Sequence, residues 1–278
     1  MRIMNQDMEI ICIGNELLIG KTLNTNAQWI AQQATALGIK VKRIVAIADE
    51  TNEISTTLHE ALKRKPQFTI TTGGLGPTFD DKTLEGVAQA LNRKLEINPT
   101  ALKMVRKKYD KYAIGIRKGT MELTPPRIKM ATLPENSEPI PNPVGTAPGV
   151  KTEIKQTLVI ALPGVPAEMK SIFKQNVIPL LKQRAGENRF YSKSMYVNNV
   201  MESSLAPLID KTMLDNPGVY VKSHPKGREE RAHIEIHAST TSDTAEKAEK
   251  KLQKALRQIM IMIEEVGGKV LSKKTIGS

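Results

Sequence analysis

Between the apolar run Phe68-Thr69-Ile70 and a helical pattern from Leu84 to Leu91 lies Thr71-Thr72-Gly73-Gly74-Leu75-Gly76-Pro77-Thr78-Phe79-Asp80-Asp81-Lys82-Thr83. A glycine-rich turn between a strand and a helix commits this part of the chain to a strand–turn–helix unit. The glycines permit positive φ and close approach of a ligand to the backbone. Bare N–H groups at a helix N-terminus form a site for phosphate. The turn fits neither the P-loop nor the Gly-x-Gly-x-x-Gly dinucleotide pattern, so its own chemistry must be read. Thr71, Thr72 and Thr78 supply hydroxyls, and Asp80 and Asp81 are a pair that could hold a divalent cation. A plain helix cap needs one aspartate. Two carboxylates beside three glycines and three hydroxyls point instead to a phosphorylated, nucleotide-like small molecule.

The same alternation extends over about 185 residues. Met8–Gly14, Val41–Ile47 and 67–72 read as strands. Asn24–Leu37, Glu50–Lys65 and 82–92 read as helices, the first capped by Asn24 or Thr25 and stopped by Gly38. Asn98-Pro99 opens another helix. Further strand-like pieces lie at 127–132, 149–154 and 157–162, and Pro163-Gly164-Val165-Pro166 starts a helix to about Gln183. This order predicts an α/β fold, a three-layer, mostly parallel sheet with helices on both faces, over residues 1–186. Ligands in such sheets sit beyond the carboxyl ends of the strands. Gly14-Asn15-Glu16, Asp49 and Thr72-Gly73-Gly74 all follow strands and share that end.

Residues 187–278 change character. Strands at Ser192–Val200, Val219–Ser223 and Arg231–Ser239, a helix at Glu202–Leu214 and a long helix at Thr244–Val266 predict a small α+β domain of ferredoxin-like type. Pro225-Lys226-Gly227-Arg228 reads as a hairpin turn, Ser242 or Asp243 as the cap of the long helix, and the tail from Lys269 as loose. His233, Glu235 and His237 share one strand face, read as the solvated side of an antiparallel sheet rather than a metal cluster.

Composition narrows the function classes. No stretch approaches a membrane span, and no secretory pattern precedes Met8, so the expectation is cytoplasmic. The single cysteine, Cys12, excludes an internal disulfide framework and sits in an apolar strand as a buried small hydrophobe. Net charge is +12. Much of the excess lies in Lys103, Arg106, Lys107, Lys108, Lys111, Arg117, Lys118, Arg127 and Lys129, against Asp110 and Glu122. Aromatics are only 4% of the chain and no nucleic-acid-binding motif occurs, so specific nucleic-acid binding is disfavoured.

Further candidates cluster by position. Glu16, Asn15, Asn24 and Asn26 suit ribose, base or metal-bound water. Asn142-Pro143-Val144-Gly145-Thr146-Ala147-Pro148-Gly149 is a rigid turn by composition. Glu168 either complements a helix dipole or faces the crevice of the aspartates.

As an ordered set, Gly14-Asn15-Glu16-Leu17-Leu18-x-Gly20, Asn24-Thr25-Asn26-Ala27, Asp49-Glu50, Thr72 to Thr83, Asn142 to Gly149 and Leu162-Pro163-Gly164-Val165-Pro166-x-Glu168-Met169 resemble the N-terminal domain of the CinA (competence/damage-inducible) family. The resemblance implies a molybdopterin-binding-type fold and a homodimer. Some members of that family hydrolyse the pyrophosphate of ADP-ribose or related dinucleotides with a divalent metal (Mg²⁺, Co²⁺ or Ni²⁺) and potassium, and a related domain hydrolyses FAD. Molybdenum-cofactor proteins of this fold bind pterin phosphate at the glycine-rich turn, with an aspartate that matches Asp81. The sequence ends at Ser278, before the deamidase domain that follows in two-domain members, so deamidase activity is not expected.

The expectation is therefore a metal-dependent nucleotide pyrophosphatase. Gly73, Gly74, Gly76, Thr72 and Thr78 would hold phosphate. Asp80 and Asp81, with Glu16 as a further acid–base candidate, would carry the chemistry, and Asp80, Asp81 and Glu168 would bind metal. Asn15, Asn24, Asn26, Asp49, Asn142 and Gly145 would line the nucleotide. The alternatives are a molybdopterin-binding or transfer protein and a non-catalytic nucleotide sensor.

Overall fold

The computed structural model describes residues 6–115, 121–226 and 233–271. The chain forms two compact units, the first ending at Ala185 and the second beginning at Gly186, with residues 36–38 belonging to the second.

In the first unit the elements run β1 (Asp7–Ile13), α1 (Asn15–Leu18), α2 (Thr25–Ala36), β2 (Lys40–Ile47), α3 (Thr51–Lys63), β3 (Phe68–Thr72), α4 (Thr83–Ala90), β4 (Leu95–Ile97), α5 (Pro99–Gly115), α6 (Pro125–Lys129), β5 (Thr132–Pro134), β6 (Glu138–Ile140), β7 (Gly149–Ile154), β8 (Thr157–Leu162), α7 (Pro166–Ile172) and α8 (Ile178–Ala185). The main sheet has the order β2-β1-β3-β8-β7-β6. Its first four strands are parallel; β7 pairs antiparallel with β8, and the edge strand β6 antiparallel with β7. β3 and β8 are buried along their whole length, as the continuous apolar runs of a covered parallel sheet require.

Alternation along the strands sends side chains to two faces. Ile11, Ile13 and Val159 pack with Ile54, Leu58 and Ala61 of α3 and Val87 of α4. Ala161 continues that layer toward Ala101 and Val105 of α5. Ile10, Cys12 and Ile160 point the other way and are fully buried. Trp29 of α2 meets Phe173 edge-on, centroids 5.3 Å apart, on the π-turn Phe173–Val177 that joins α7 to α8. Asn24 caps α2, its Oδ1 accepting from the Ala27 N–H at 3.1 Å, and Gly38 follows at φ +76°. Asn98 does the same for α5, accepting from Thr100 and Ala101.

One expected strand is corrected. Residues 127–129 lie in α6, and the strand begins only at Thr132. Ile128 and Met130 alternate like a strand, but Pro125 and Pro126 sit at the first helical positions, where a fixed φ near −65° favours a helix. β4 and β5 form a separate two-stranded sheet. Arg117 and Lys118 lie outside the described residues.

The second unit runs β9 (Arg189–Asn198), α9 (Glu202–Asp215), β10 (Val219–Lys226), β11 (His233–Ser242), α10 (Ala245–Glu265) and β12 (Lys269–Leu271). The sheet order is β10-β11-β9-β12 and every pairing is antiparallel, a β-α-β-β-α-β ferredoxin-like arrangement. β12 corrects the loose-tail expectation for Lys269–Leu271. Three residues carry little periodic signal, and main-chain pairing to β9 makes them a strand. Residues 272–278, the turn residues Gly227 and Arg228, and the expected strand residues Arg231 and Ala232 lie outside the described residues. The cap of α10 is Thr244, not Ser242 or Asp243. Leu205 and Ile209 of α9 and Leu252, Ala255, Ile259 and Ile263 of α10 cover one face of the sheet. On the other face, Ser194 Oγ lies 3.0 Å from His237 Nδ1.

An ion pair with a buried carboxylate ties the start of β1 to the end of α3. Glu9 is 5% exposed and takes a bidentate pair from the partly exposed Arg64, both contacts at 2.7 Å. Removing Arg64 leaves the buried carboxylate with only the longer contact to Arg43, at 3.9 Å. Arg64→Ala should destabilise the fold by about 2–3 kcal/mol, read as a lower midpoint in urea unfolding. An unchanged midpoint would show that Glu9 stays solvated without it.

Candidate functional site

The carboxyl ends of β1, β3 and β8 meet with almost no space between their backbones. Gly73, directly after β3, has φ +115°, and a Cβ built there would stand 2.0 Å from the Ile13 carbonyl oxygen. Its N–H donates to Leu162 O at 3.0 Å, tying β3 to β8. Gly74 follows at φ +62°, with Thr83 Oγ1 where a side chain would start. Thr83 Oγ1 donates to Gly73 O at 2.8 Å, and Thr83 N to Gly74 O at 3.2 Å. The turn is thus locked to the first residue of α4. α4 has Lys82 at its N-cap, with no side-chain capping bond. Neither aspartate serves as the cap.

Some groups expected to meet phosphate are already committed. Thr72 is buried and its hydroxyl donates to Pro163 O at 3.0 Å. Thr78 N donates to Asp81 Oδ2 at 2.8 Å, and Thr78 Oγ1 lies in reach of both Asp80 Oδ1 and Asp81 Oδ2. One hydroxyl proton serves one acceptor at a time, so the two carboxylates compete for it. The Thr78 hydroxyl, then the Asp80 N–H and the nearby Lys129 and Lys82, hold the Asp80 carboxyl below its ordinary range. Lys129 Nζ donates to Thr78 O at 2.5 Å. Among the described residues the N–H groups of Gly74, Leu75 and Gly76 make no hydrogen bond; Gly74 and Gly76 are partly exposed and Leu75 is buried. These are the candidate amides for a ligand.

Next to them lies a cavity of about 320 Å³ lined by Gly74, Gly76, Asp81, Leu84, Ile128 and Lys129. It is mostly apolar, and its charged lining is mixed, Lys129 against Asp81 and Glu85. That size lies at the lower end of the range for small-molecule sites, about 300–1,000 Å³.

Across the strand ends, Asn26 acts as a lace. Its Nδ2 donates to Thr72 Oγ1 at 3.2 Å and to Gly164 O at 2.7 Å. Its Oδ1 is buried without a partner. A cavity of about 80 Å³ lies here, lined by Cys12, Glu16, Asn24, Asn26, Thr72 and Gly164 among others. Burial pushes the Cys12 thiol up, so it stays protonated and is a poor nucleophile. Asn15 donates its N–H to Asp49 Oδ2 at 2.7 Å. Burial first, then the charges of Glu16, Asp80 and Asp81, raise the Asp49 carboxyl against the lowering effect of that bond. Glu16, Asp49, Asp80 and Asp81 therefore share one electrostatic neighbourhood.

Glu168, Asn142 and Gly145 form a different group. Asn142 is buried, and all its polar capacity goes to its own loop and to Glu168. Nδ2 donates to Ala147 O at 2.8 Å and to Glu168 Oε2 at 2.7 Å, while Oδ1 accepts from Val144 N and Gly145 N. The Glu168 carboxylate occupies the space a Cβ on Gly145 would need. Asn142 and Glu168 thus act as struts of the 142–149 loop, and Lys108 of α5 braces it by donating to Pro143 O at 2.7 Å. Among the described residues no group of three or more His, Cys, Asp or Glu is placed to hold a metal ion.

Sequence reading passed over Lys129, which stands in a helix that was expected to be a strand, and the apolar residues exposed around the turn. Phe79 is 88% exposed and Leu23 83%. Phe79 carried a signal, as a large apolar residue inside a polar turn.

Among the described residues no helix is long and apolar enough to cross a membrane. A family described as a probable molybdopterin binding domain matches residues 9–183. A protein of Aeropyrum pernix is 44% identical over 262 residues, covering 94% of this chain and 95% of its own length. One from Pyrobaculum arsenaticum is 43% identical over 266 residues, covering 95% and 97%. The crystal structure of CinA, a protein of unknown function from Thermoplasma acidophilum, is 39% identical with a TM-score of 0.57, covering 65% of this chain and 98% of that one.

The raised carboxyl of Asp49 sets a pH dependence. A folded-state pKa above the unfolded value means that the native state binds this proton more tightly. Its contribution to stability is greatest below about pH 4 and is lost as pH rises through the folded value. Asp49→Asn keeps an acceptor for Asn15 and removes the charge. It should melt higher than wild type at pH 7, with the difference closing toward pH 4. A difference that does not change with pH would refute this reading of Asp49.

Proposed function

The chain belongs to the family of probable molybdopterin binding domains and carries a CinA-like N-terminal domain, and from that premise we propose that it binds a phosphorylated pterin of the molybdopterin kind at the β3–α4 turn. One observation carries the reading. The N–H groups of Gly74, Leu75 and Gly76 make no hydrogen bond among the described residues, and all three residues line a mostly apolar cavity of about 320 Å³. The amides and the N-terminus of α4 suit a phosphate. Leu84 and Ile128 suit the flat face of a ring, and Lys129 adds a positive charge between them. Thr78, Asp80 and Asp81 fix the shape of the turn, and Asn26 with Thr72 holds the strand ends that support it.

The electrostatics favour a second reading, metal-dependent hydrolysis of a dinucleotide such as ADP-ribose or FAD. Glu16, Asp49, Asp80 and Asp81 together repel a phosphate unless a cation stands between. The competing pair Asp80 and Asp81 fits a divalent ion of the Mg²⁺ kind, which takes one or two carboxylates and completes its shell with phosphate and water. Such an ion lowers the pKa of bound water. Glu16 and Asp49 would then hold or accept a proton nearby. Asn26 Oδ1, buried and unpartnered, is an acceptor that potassium would take. Glu168, a further metal candidate, accepts from Asn142 Nδ2 through one oxygen, Oε2.

Binding should be readable with 6-hydroxymethylpterin diphosphate, followed by its own fluorescence. The expected Kd is micromolar, and Lys129→Ala should weaken it about tenfold, the loss of one hydrogen bond to a charged group. No binding, or equal binding by both proteins, sinks the pterin reading. Release of AMP from ADP-ribose with Mg²⁺, Co²⁺ or Ni²⁺, abolished in Asp81→Ala, would establish the second. Equal inertness of wild type and Asp81→Ala over a dinucleotide panel would end it.

A further inference from the structure

At the other end of the main sheet, where β3 and β8 begin, lies a cavity of about 660 Å³. It is separated from the glycine-rich turn by the length of β3, five residues at about 3.3 Å each, or roughly 17 Å. Leu62, Leu91 and Ile154 are among the apolar residues on its walls, and Lys63, Lys65 and Lys155 bring the charge. No acidic residue lines it. Among the described residues none of the three lysines takes part in an ion pair, whereas Arg64, between two of them, is committed to Glu9.

Two of these lysines stand where a lysine is disfavoured. Lys65 has φ +57° just past the end of α3, a position usually taken by glycine or asparagine. Lys155 has φ +54°. Ile154 pairs with Thr157, so Lys155 is the first residue of a two-residue hairpin loop, where Gly, Asn or Asp normally supplies positive φ. Complementing a helix dipole explains Lys63, in the last turn of α3, and covers Lys65. It does not explain Lys155, which lies between two strands. Strained backbone at a residue whose side chain lines a cavity points to function.

We propose that this cavity is a second ligand site, for a small molecule that joins a flat apolar or aromatic body to a phosphate chain. The body lies against Leu62, Leu91 and Ile154. The phosphates meet Lys63, Lys65 and Lys155, brought together from the end of α3 and the β7–β8 hairpin. The site is independent of the ligand bound at the glycine-rich turn.

The probe is a fluorescent nucleoside triphosphate, N-methylanthraniloyl-ATP, titrated into the full chain at 50 and 200 mM salt. The double variant Lys65→Gly/Lys155→Gly should bind at least tenfold more weakly and lose most of the salt dependence. Glycine relieves the positive φ at both positions, so it should melt no lower than wild type. Lys65→Asn/Lys155→Asn, which also tolerates left-handed backbone, should behave the same way and guards against a loss of fold. Any probe bound at the turn is recognised as the class that Lys129→Ala weakens and the double variants spare. Removing two lysines elsewhere, Lys251→Gln/Lys254→Gln on α10, should leave binding unchanged. The proposal is overturned if wild type and Lys65→Gly/Lys155→Gly bind alike. It is equally overturned if the α10 variant weakens binding as much, since net charge alone then accounts for it, or if Lys129→Ala removes all of the binding.

Discussion

The site depends on one close approach of backbone to backbone. At Gly73 the chain leaves β3 so near the end of β1 that the Ile13 carbonyl occupies the place of a side chain. The Gly73 N–H is at the same time bonded to Leu162 at the end of β8. Three neighbouring strands therefore finish against one another. The next amides, of Gly74, Leu75 and Gly76, make no hydrogen bond among the described residues. A residue with a Cβ at position 73 would part β1 from β3.

Around that junction the polar groups divide into those that hold and those that remain open. Thr72, Asn26 and Thr83 bind backbone carbonyls and fasten strand ends to the turn. Asp81 fastens Thr78. Asn142 and Glu168 fasten a separate loop. Beside these stand three amides without a hydrogen bond among the described residues, and the charged groups Lys129, Glu16, Asp49 and Asp80, of which Lys129, Asp49 and Asp80 each also make a local hydrogen bond. The amides and the lysine attract anions, and the carboxylates attract cations. A phosphate accompanied by a cation satisfies both, which is why pterin phosphate binding and metal-assisted hydrolysis draw on the same turn.

Much of the architecture was legible because periodicity and turn chemistry are local. The apolar run before Gly73 and the helical pattern after Thr83 announce a strand, a turn and a helix. Asn24 and Asn98 announce helix starts by their own side-chain geometry. Local rules failed where two of them conflicted. Ile128 and Met130 alternate like a strand, yet Pro125 and Pro126 set a helix. They also failed at β12, where three residues form a strand only because β9 offers a free edge.

The sequence by itself determined most of the elements, their alternation and the family to which the first unit belongs, because each rests on spacing along the chain. Which polar groups are free was decided only by the tertiary structure. Thr72 and Asn142 look like ligand groups in the sequence. In the fold they are buried and bonded, because Pro163, Ala147 and Glu168 come to them from distant or folded-back segments. Lys129 looks like part of a strand, and α6 carries it to the edge of the turn. A hydrogen bond satisfies a group only when its partner arrives, and for these residues the partner arrives only when the strands and loops have come together.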